Sequence, residues 1–391
     1  MRTERIAHGG FVVARHEGVV VFVRHALPGE LVTVEVTEGE EGDRFLRADA
    51  VAVHEPSPDR VVPPCPWSGP GRCGGCDFQH VDPAAQRRLK AAVVSEQLQR
   101  LARLDVDVQV EAVGDPLDYP LGWRTRVQWA VDRSGRPGLR KHRSHDLVLV
   151  DECPIAHPGL PEVTSNEWPQ AVGVEALVSA TGQQLRLVTT RDGSTFADGP
   201  ELLHERAAGR DWQVTGSGFW QVHPAAADTL VGAVLEALEV RPGDRALDLY
   251  AGVGLFSAAL AAAVGPTGHV LAVESDTTAA EDAAANLADL PQVSVVAERV
   301  DRAVPDAAGA DLVVLDPPRT GARRDVVAAI ADLAPRAVAY VACDPAALAR
   351  DVAFFAEHGY TLETLRAFDL FPMTHHVECV AVLRPLDRHV S

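Results

Sequence analysis

Long apolar runs are missing from this chain. No stretch of its 391 residues approaches the roughly 18 uninterrupted apolar residues of a membrane-spanning helix. The opening MRTERIAHGGFVV lacks the charged head, apolar core and small-residue cleavage site of a secretory leader. These two absences read as a cytoplasmic protein. Internal repeats and low-complexity tails are missing as well. Positive charge is scarce: the net charge is −19, which by itself argues against a nucleic-acid partner. Cysteine is scarce too, with six in the chain, and in a reducing compartment they favour metal binding or catalysis over disulfides. What is present, 47% hydrophobic and 23% charged residues, suffices for a full core and two or three domains.

The distribution of charge matters more than its sum. Residues 123–145, WRTRVQWAVDRSGRPGLRKHRSH, gather Arg124, Arg126, Arg133, Arg136, Arg140, Lys141 and Arg143 around a single acid, with Trp123 and Trp129 interleaved. Such a strip is either a phosphate track with stacking platforms or the solvated face of a hairpin.

Three segments follow from the patterning. Residues 1–55 are Val-rich runs punctuated by Gly and Pro, which predicts a small all-β barrel. Residues 56–214 begin with the linker HEPSPDRVVPP and a cysteine-bearing loop. A helix then starts with Asp82 as N-cap and Pro83 in its first turn, and carries Val94, Leu98 and Leu101 on one face. The rest of this segment reads as a mixed, mostly β domain. Residues 215–391 alternate strands with helices, the signature of a doubly wound parallel sheet, and end in two adjacent strands.

Several motifs in the last segment carry chemistry. The strand RALDLY runs into the turn AGVG and a helix, so Gly252 would let a ligand approach the backbone. Glu274 ends the next strand, where an acid suits two ribose hydroxyls. Ser257 stands where a pyrophosphate loop has its third Gly, which favours a ligand without phosphates, such as S-adenosylmethionine. Asp316 closes the strand before LDPPRTG, at the ligand-binding edge of such sheets. Cys343, in YVACDPAALARD, lies at the same edge, beside a helix N-terminus expected to lower its pKa; on chemistry alone it is either a nucleophile or a buried thiol. Glu378 sits in the terminal strand, and Cys379 should face away as core.

The remaining cysteines are divided differently. Cys65, Cys73 and Cys76 share one short loop, and Cys153 lies far downstream. Four such thiolates suit zinc or an iron–sulfur cluster, and the lack of a second C-x2-C pair makes an ordinary zinc ribbon a poor fit.

Together these pieces resemble the TrmA-type RNA 5-methyluridine methyltransferases over essentially the whole chain. ALPGE and RVVPPC are similar to the end of a TRAM domain, an RNA-binding β-barrel. GFWQVH, DLYAGVGLFS, YVACDPAALARD and FPMTHHVE are similar to the ordered motifs of the family. The resemblance implies Cys343 as nucleophile and Glu378 as general base. It implies Gln221, Tyr250, Gly252, Glu274 and Asp316 as contacts to S-adenosylmethionine or the target base, and Cys65, Cys73, Cys76 and Cys153 as ligands of a [4Fe–4S] cluster. It implies an RNA substrate, 23S rRNA ahead of tRNA, and no obligate protein partner.

The chain departs from the family pattern. The first cysteine gap is long, His223 replaces an Asn, and Asp344 replaces the Asn after the nucleophile. A carboxylate beside a thiol disfavours the thiolate unless it points away or pairs with a cation. The rivals are a nicotinamide-dependent oxidoreductase, a cytosine carbon 5 methyltransferase, and a catalytically idle iron–sulfur RNA-binding protein.

Overall fold

A computed structural model of the chain describes residues 1–40, 42–114 and 120–386. The five residues at 115–119, and the last five of the 215–391 segment, lie outside the described residues.

The Val-rich start forms five strands: β1 (Thr3–Ala7), β2 (Phe11–His16), β3 (Val19–Arg24), β4 (Leu31–Glu38) and β5 (Phe45–Glu55). Their order is β1-β2-β3-β5-β4, with β3 and β5 parallel. A bridge between Arg2 and Leu31 brings β1 back to β4, so the sheet closes on itself. Closure leaves little free edge, and Ala14, Val21, Val23, Val32 and Ala48 fill the inside.

The expected helix α1 (Pro83–Gln97) is capped as its sequence demands: Asp82 Oδ1 accepts from the N–H groups of Ala84 (2.9 Å) and Ala85 (3.2 Å). Val94 and Leu98 are buried from its apolar face. The chain then adds a short strand, β6 (Val110–Ala112). A six-stranded antiparallel sheet follows, from β7 (Arg126–Val131), β8 (Pro137–Arg140), β9 (Leu147–Val148), β10 (Ala171–Val178), β11 (Gln184–Thr190) and β12 (Thr195–Asp198).

The strands β13 (Leu202–Ala207) and β14 (Arg210–Thr215) form a separate hairpin. Beyond it lie α2 (Ala226–Leu238), β15 (Arg245–Leu249), α3 (Leu255–Val264), β16 (His269–Glu274), α4 (Thr277–Asn286), β17 (Val293–Ala297) and α5 (Val300–Ala303). The chain ends with β18 (Leu312–Leu315), α6 (Arg323–Asp332), β19 (Ala337–Ala342), α7 (Pro345–Glu357), β20 (Tyr360–Asp369) and β21 (Glu378–Pro385).

These strands make one sheet in the order β17-β16-β15-β18-β19-β21-β20-β6. All pairs are parallel except those made by β21. β18 and β19 are buried along their whole length, which is why they read as continuous apolar runs. One core, around Leu230, Phe256 and Leu260, covers one face; another, around Val327, Leu348 and Phe355, covers the other. The sheet is thus doubly wound, as the alternating pattern predicts.

Two pieces of the 56–214 segment are built into this α/β layer. β6 pairs with β20 at the edge, and three residues of strand are too few to leave a periodic signal. The β13–β14 hairpin packs on α4: Gln213 and Asn286 exchange two hydrogen bonds of 2.9 Å, and Trp212 is buried in the sheet's own core. Among the described residues no helix is long and apolar enough to cross a membrane.

Candidate active site

Sheet register builds the centre of the site. β21 runs antiparallel to β19 with Cys379 opposite Ala342, which brings Glu378 opposite Cys343 at the end of the ladder. Cys379 faces the core as expected and is fully buried. Next to them Asp316 directly follows β18, and its N–H donates to Leu249 O at 3.2 Å. Asp248, in β15, is fully buried; Ser257 Oγ donates to its Oδ2 at 2.5 Å, and its Oδ1 has no partner among the described residues.

Three carboxyl groups and a thiol therefore share one strand edge. Burial, reinforced by the charge of Asp248, pushes Asp316 up to about 7. Burial pushes Asp248 up to about 6 and, with the charge of Asp316, drives Glu378 well above the usual carboxylate range. Arg319, from the LDPPRTG loop, is the cation that opposes this for Glu378 and for Cys343. The thiol departs from expectation. The helix α7 does start at Pro345, yet burial and the charges of Glu378 and Asp316 push Cys343 up to about 12. A helix N-terminus is worth up to ~2 kcal/mol in favourable geometry and loses here to desolvation among acids.

Asp344 opposes the thiolate less than Glu378 and Asp316 do, and both its oxygens are engaged by other groups. Its Oδ1 accepts from Ala347 N (2.8 Å), capping α7, and its Oδ2 meets His8 Nε2 of the barrel at 3.1 Å. His8, Val93, Arg319, Cys343, Asp344, Pro345, His375 and His376 line a cavity of about 160 Å³.

The glycine turn sits one strand away. Gly252 N donates to Glu274 Oε2 at 2.9 Å, and Asp276 N to its Oε1 at 2.7 Å, which fixes the carboxylate while leaving it lone pairs for a ligand. Tyr250, at the strand end, has φ 62°, a strained conformation for a residue with a side chain. Gly254 opens α3 at φ 94°, and a Cβ there would lie 2.7 Å from Leu287. Gln221 lies apart, in a cleft with Arg126, Glu205 and Trp220.

The cysteine loop makes a second site. Cys65, Cys73, Cys76 and Cys153 all line one cavity of about 530 Å³. Burial raises the pKa of each thiol in the absence of a ligand. Among the described residues no three His, Cys, Asp or Glu side chains are close enough to hold a single metal ion.

The basic strip is corrected here. Trp123 and Trp129 are 6% exposed and belong to cores, so neither is a stacking platform. Arg126 is held by Glu175, Arg136 by Asp132, and Arg143 by Glu38 of the barrel. Arg124, Arg140, Lys141 and Arg143 line the cysteine cavity together with Glu152, Lys141 paired to Asp146, and Arg124 favours the thiolates of Cys73 and Cys153.

Sequence reasoning gave no role to Arg319, Asp248 or His8. The first two lie inside motifs already singled out. His8 carries no local signal, because its partner is 336 residues away.

Residues 201–385 match the family model for tRNA (uracil-5-)-methyltransferases, a span that holds every candidate site residue except the four cysteines of the loop site. The 23S rRNA (uracil(1939)-C(5))-methyltransferase RlmD of Chromohalobacter salexigens is 34% identical over 97% of this chain and 88% of its own length. The chain belongs to the RNA uracil-5-methyltransferase family. As a member of that family it is an S-adenosylmethionine-dependent enzyme. An uncharacterized RNA methyltransferase of Streptomyces coelicolor shares 51% identity over 97% of this methyltransferase and 91% of its own chain. The fold is that of a tRNA (uracil-54, C5)-methyltransferase of Pyrococcus abyssi, solved with S-adenosyl-L-homocysteine: the TM-score is 0.72 at 23% identity, over 97% of this chain and 99% of that one.

Proposed function

We propose that this enzyme methylates carbon 5 of one uridine in 23S rRNA through a covalent adduct between Cys343 and carbon 6 of the ring. The observation that carries the mechanism is the β19–β21 register, which sets Glu378 beside Cys343 one step beyond the Ala342–Cys379 pair, close enough for its charge to act on the thiol. The rRNA target is supported by whole-length relatives named for 23S rRNA, at 34% and 31% identity.

Uracil carbon 5 is a poor nucleophile. Addition of the Cys343 sulfur to carbon 6 pushes electrons onto the ring and activates carbon 5. S-adenosylmethionine supplies the methyl group as a sulfonium, held by Gln221, Tyr250, Gly252, Glu274 and Asp316. Carbon 5 takes the methyl; Glu378 then removes the carbon 5 proton, and elimination returns the sulfur to Cys343. Arg319 favours both charged forms, the thiolate and the carboxylate. The base must leave its stack to reach this edge. The barrel, read as a TRAM domain, binds the flanking RNA, and Cys65, Cys73, Cys76 and Cys153 hold a [4Fe–4S] cluster of structural role.

Nucleoside mass spectrometry on rRNA and tRNA, purified separately from cells with and without the gene, tests this reading. The expected result is loss of 5-methyluridine from rRNA alone. Loss from tRNA alone would move the substrate, and no loss from either pool would overturn the reading.

A further inference from the structure

We propose that His8, in the barrel turn between β1 and β2, is a positioning residue for the nucleophile, holding the Asp344 carboxylate so that the neighbouring Cys343 sulfur can carry negative charge. The inference rests on the reading of Cys343 as the nucleophile. It assigns to the barrel a task inside the reaction centre.

Asp344 is bonded to Cys343 in sequence, and a free carboxylate there opposes the thiolate directly. Both its oxygens are tethered, one to Ala347 N at 2.8 Å and the other to His8 Nε2 at 3.1 Å. Against the cost of burial, the His8 hydrogen bond and the capped N–H groups hold its carboxyl below the usual range. The capping bond comes from α7 itself, so it serves the helix whether or not the barrel is present. The His8 bond exists only when the barrel is docked.

The docking is built for close approach. Gly10, in the same turn, has φ 78°, and a Cβ on it would lie 2.9 Å from His375 Cβ and 3.1 Å from Asp77 Cβ. Only glycine lets the turn reach this depth. The other charged or titratable groups facing the nucleophile are Arg319 from the β18–α6 loop, His375 and His376 from the β20–β21 connection, and the carboxyls of Asp316 and Glu378. Of these, Arg319 favours the thiolate and the two carboxyls oppose it. Asp344 is a third opposing carboxylate and the weakest of the three, and the His8 bond limits what it adds.

The test compares wild type with His8→Ala, Asp344→Asn and the double variant. Asn caps a helix about as well as Asp, so Asp344→Asn keeps α7 intact. Two readouts are taken: the rate of Cys343 alkylation against pH, followed by mass spectrometry of its peptide, and kcat and KM for RNA. His8→Ala should shift the alkylation profile about one pH unit upward, a tenfold loss of thiolate at fixed pH, and lower kcat with little change in KM. With Asp344→Asn in place, removing His8 should change neither readout. An unshifted alkylation profile in His8→Ala, or the same loss with and without the Asp344 carboxylate, would overturn the proposal. A rise in KM alone would make His8 an RNA contact and overturn it too. Alkylation does not need turnover, so an active Cys343→Ala variant would refute the nucleophile reading separately.

Discussion

The two candidate sites of this enzyme are built in opposite ways. The Cys343 edge is an acidic strand-end site, where the functional groups take their places from sheet register. The Cys65–Cys153 cavity is a loop site, lined by cations together with Glu152 and assembled from segments far apart in sequence. Both hold cysteines whose thiols are raised by burial, yet their neighbours differ in sign. Acids make Cys343 reluctant to ionise, which suits a nucleophile that is charged only when substrate is present. At the loop site Arg124 favours the thiolates of Cys73 and Cys153. The lesson is that thiol chemistry follows the surrounding charge, not the cysteine.

The sharpest way to test that contrast is one substitution in each site. Cys343→Ala should lower methyl transfer by roughly a thousandfold or more, with thermal stability and binding of S-adenosyl-L-homocysteine unchanged. If the loop site holds the proposed cluster, Cys153→Ser should instead lose iron and visible colour, and lower soluble yield. Equal loss of stability in both variants would erase the distinction.

A smaller effect is expected at the link between the sites. Lys90 follows the cysteine loop on α1, is fully buried, and donates to Asp369 Oδ1 (2.5 Å) and Phe371 O (3.0 Å), at the start of the connection that leads to Glu378. Breaking a buried pair by removing one partner costs about 3–5 kcal/mol. Denaturant unfolding of Lys90→Ala should show a loss of that size; a loss under about 1 kcal/mol would mean that the two regions are not joined there.

The smallest effect concerns the acids. Asp316 has a raised pKa in the fold, so the folded state keeps a proton that the unfolded chain gives up near pH ~4. Stability is therefore greatest below that pH and falls as pH rises toward about 7. Asp316→Asn should gain about 1–3 kcal/mol at pH 8 and almost nothing at pH 4, while losing activity at both. A gain that does not depend on pH would show that the acids are not strained by one another.

Much of the strand-end site was legible because it lies on regular elements. Apolar runs marked β18 and β19, and the residues at their ends, Asp316 and Cys343, followed. The thiol's ionisation was not legible: the helix behind Cys343 is a local signal, whereas Glu378 and Asp316 reach it through the sheet. The tryptophans were misread for a similar reason. Alternation in RVQWAV says that Trp129 faces one side of a strand, and only the packed sheet says that this side is a core.

By itself, the sequence determined the doubly wound layer, the capped helix at Asp82, the motifs at the strand ends and the cysteines of the loop. Each of these depends on periodicity or on neighbours within a few residues. Tertiary structure alone decided that β6 completes the sheet, that cations line the cysteine cavity, and that His8 meets Asp344. Those contacts join residues that share no local pattern, and they exist only because the barrel, the loop and the sheet bury their surfaces against one another.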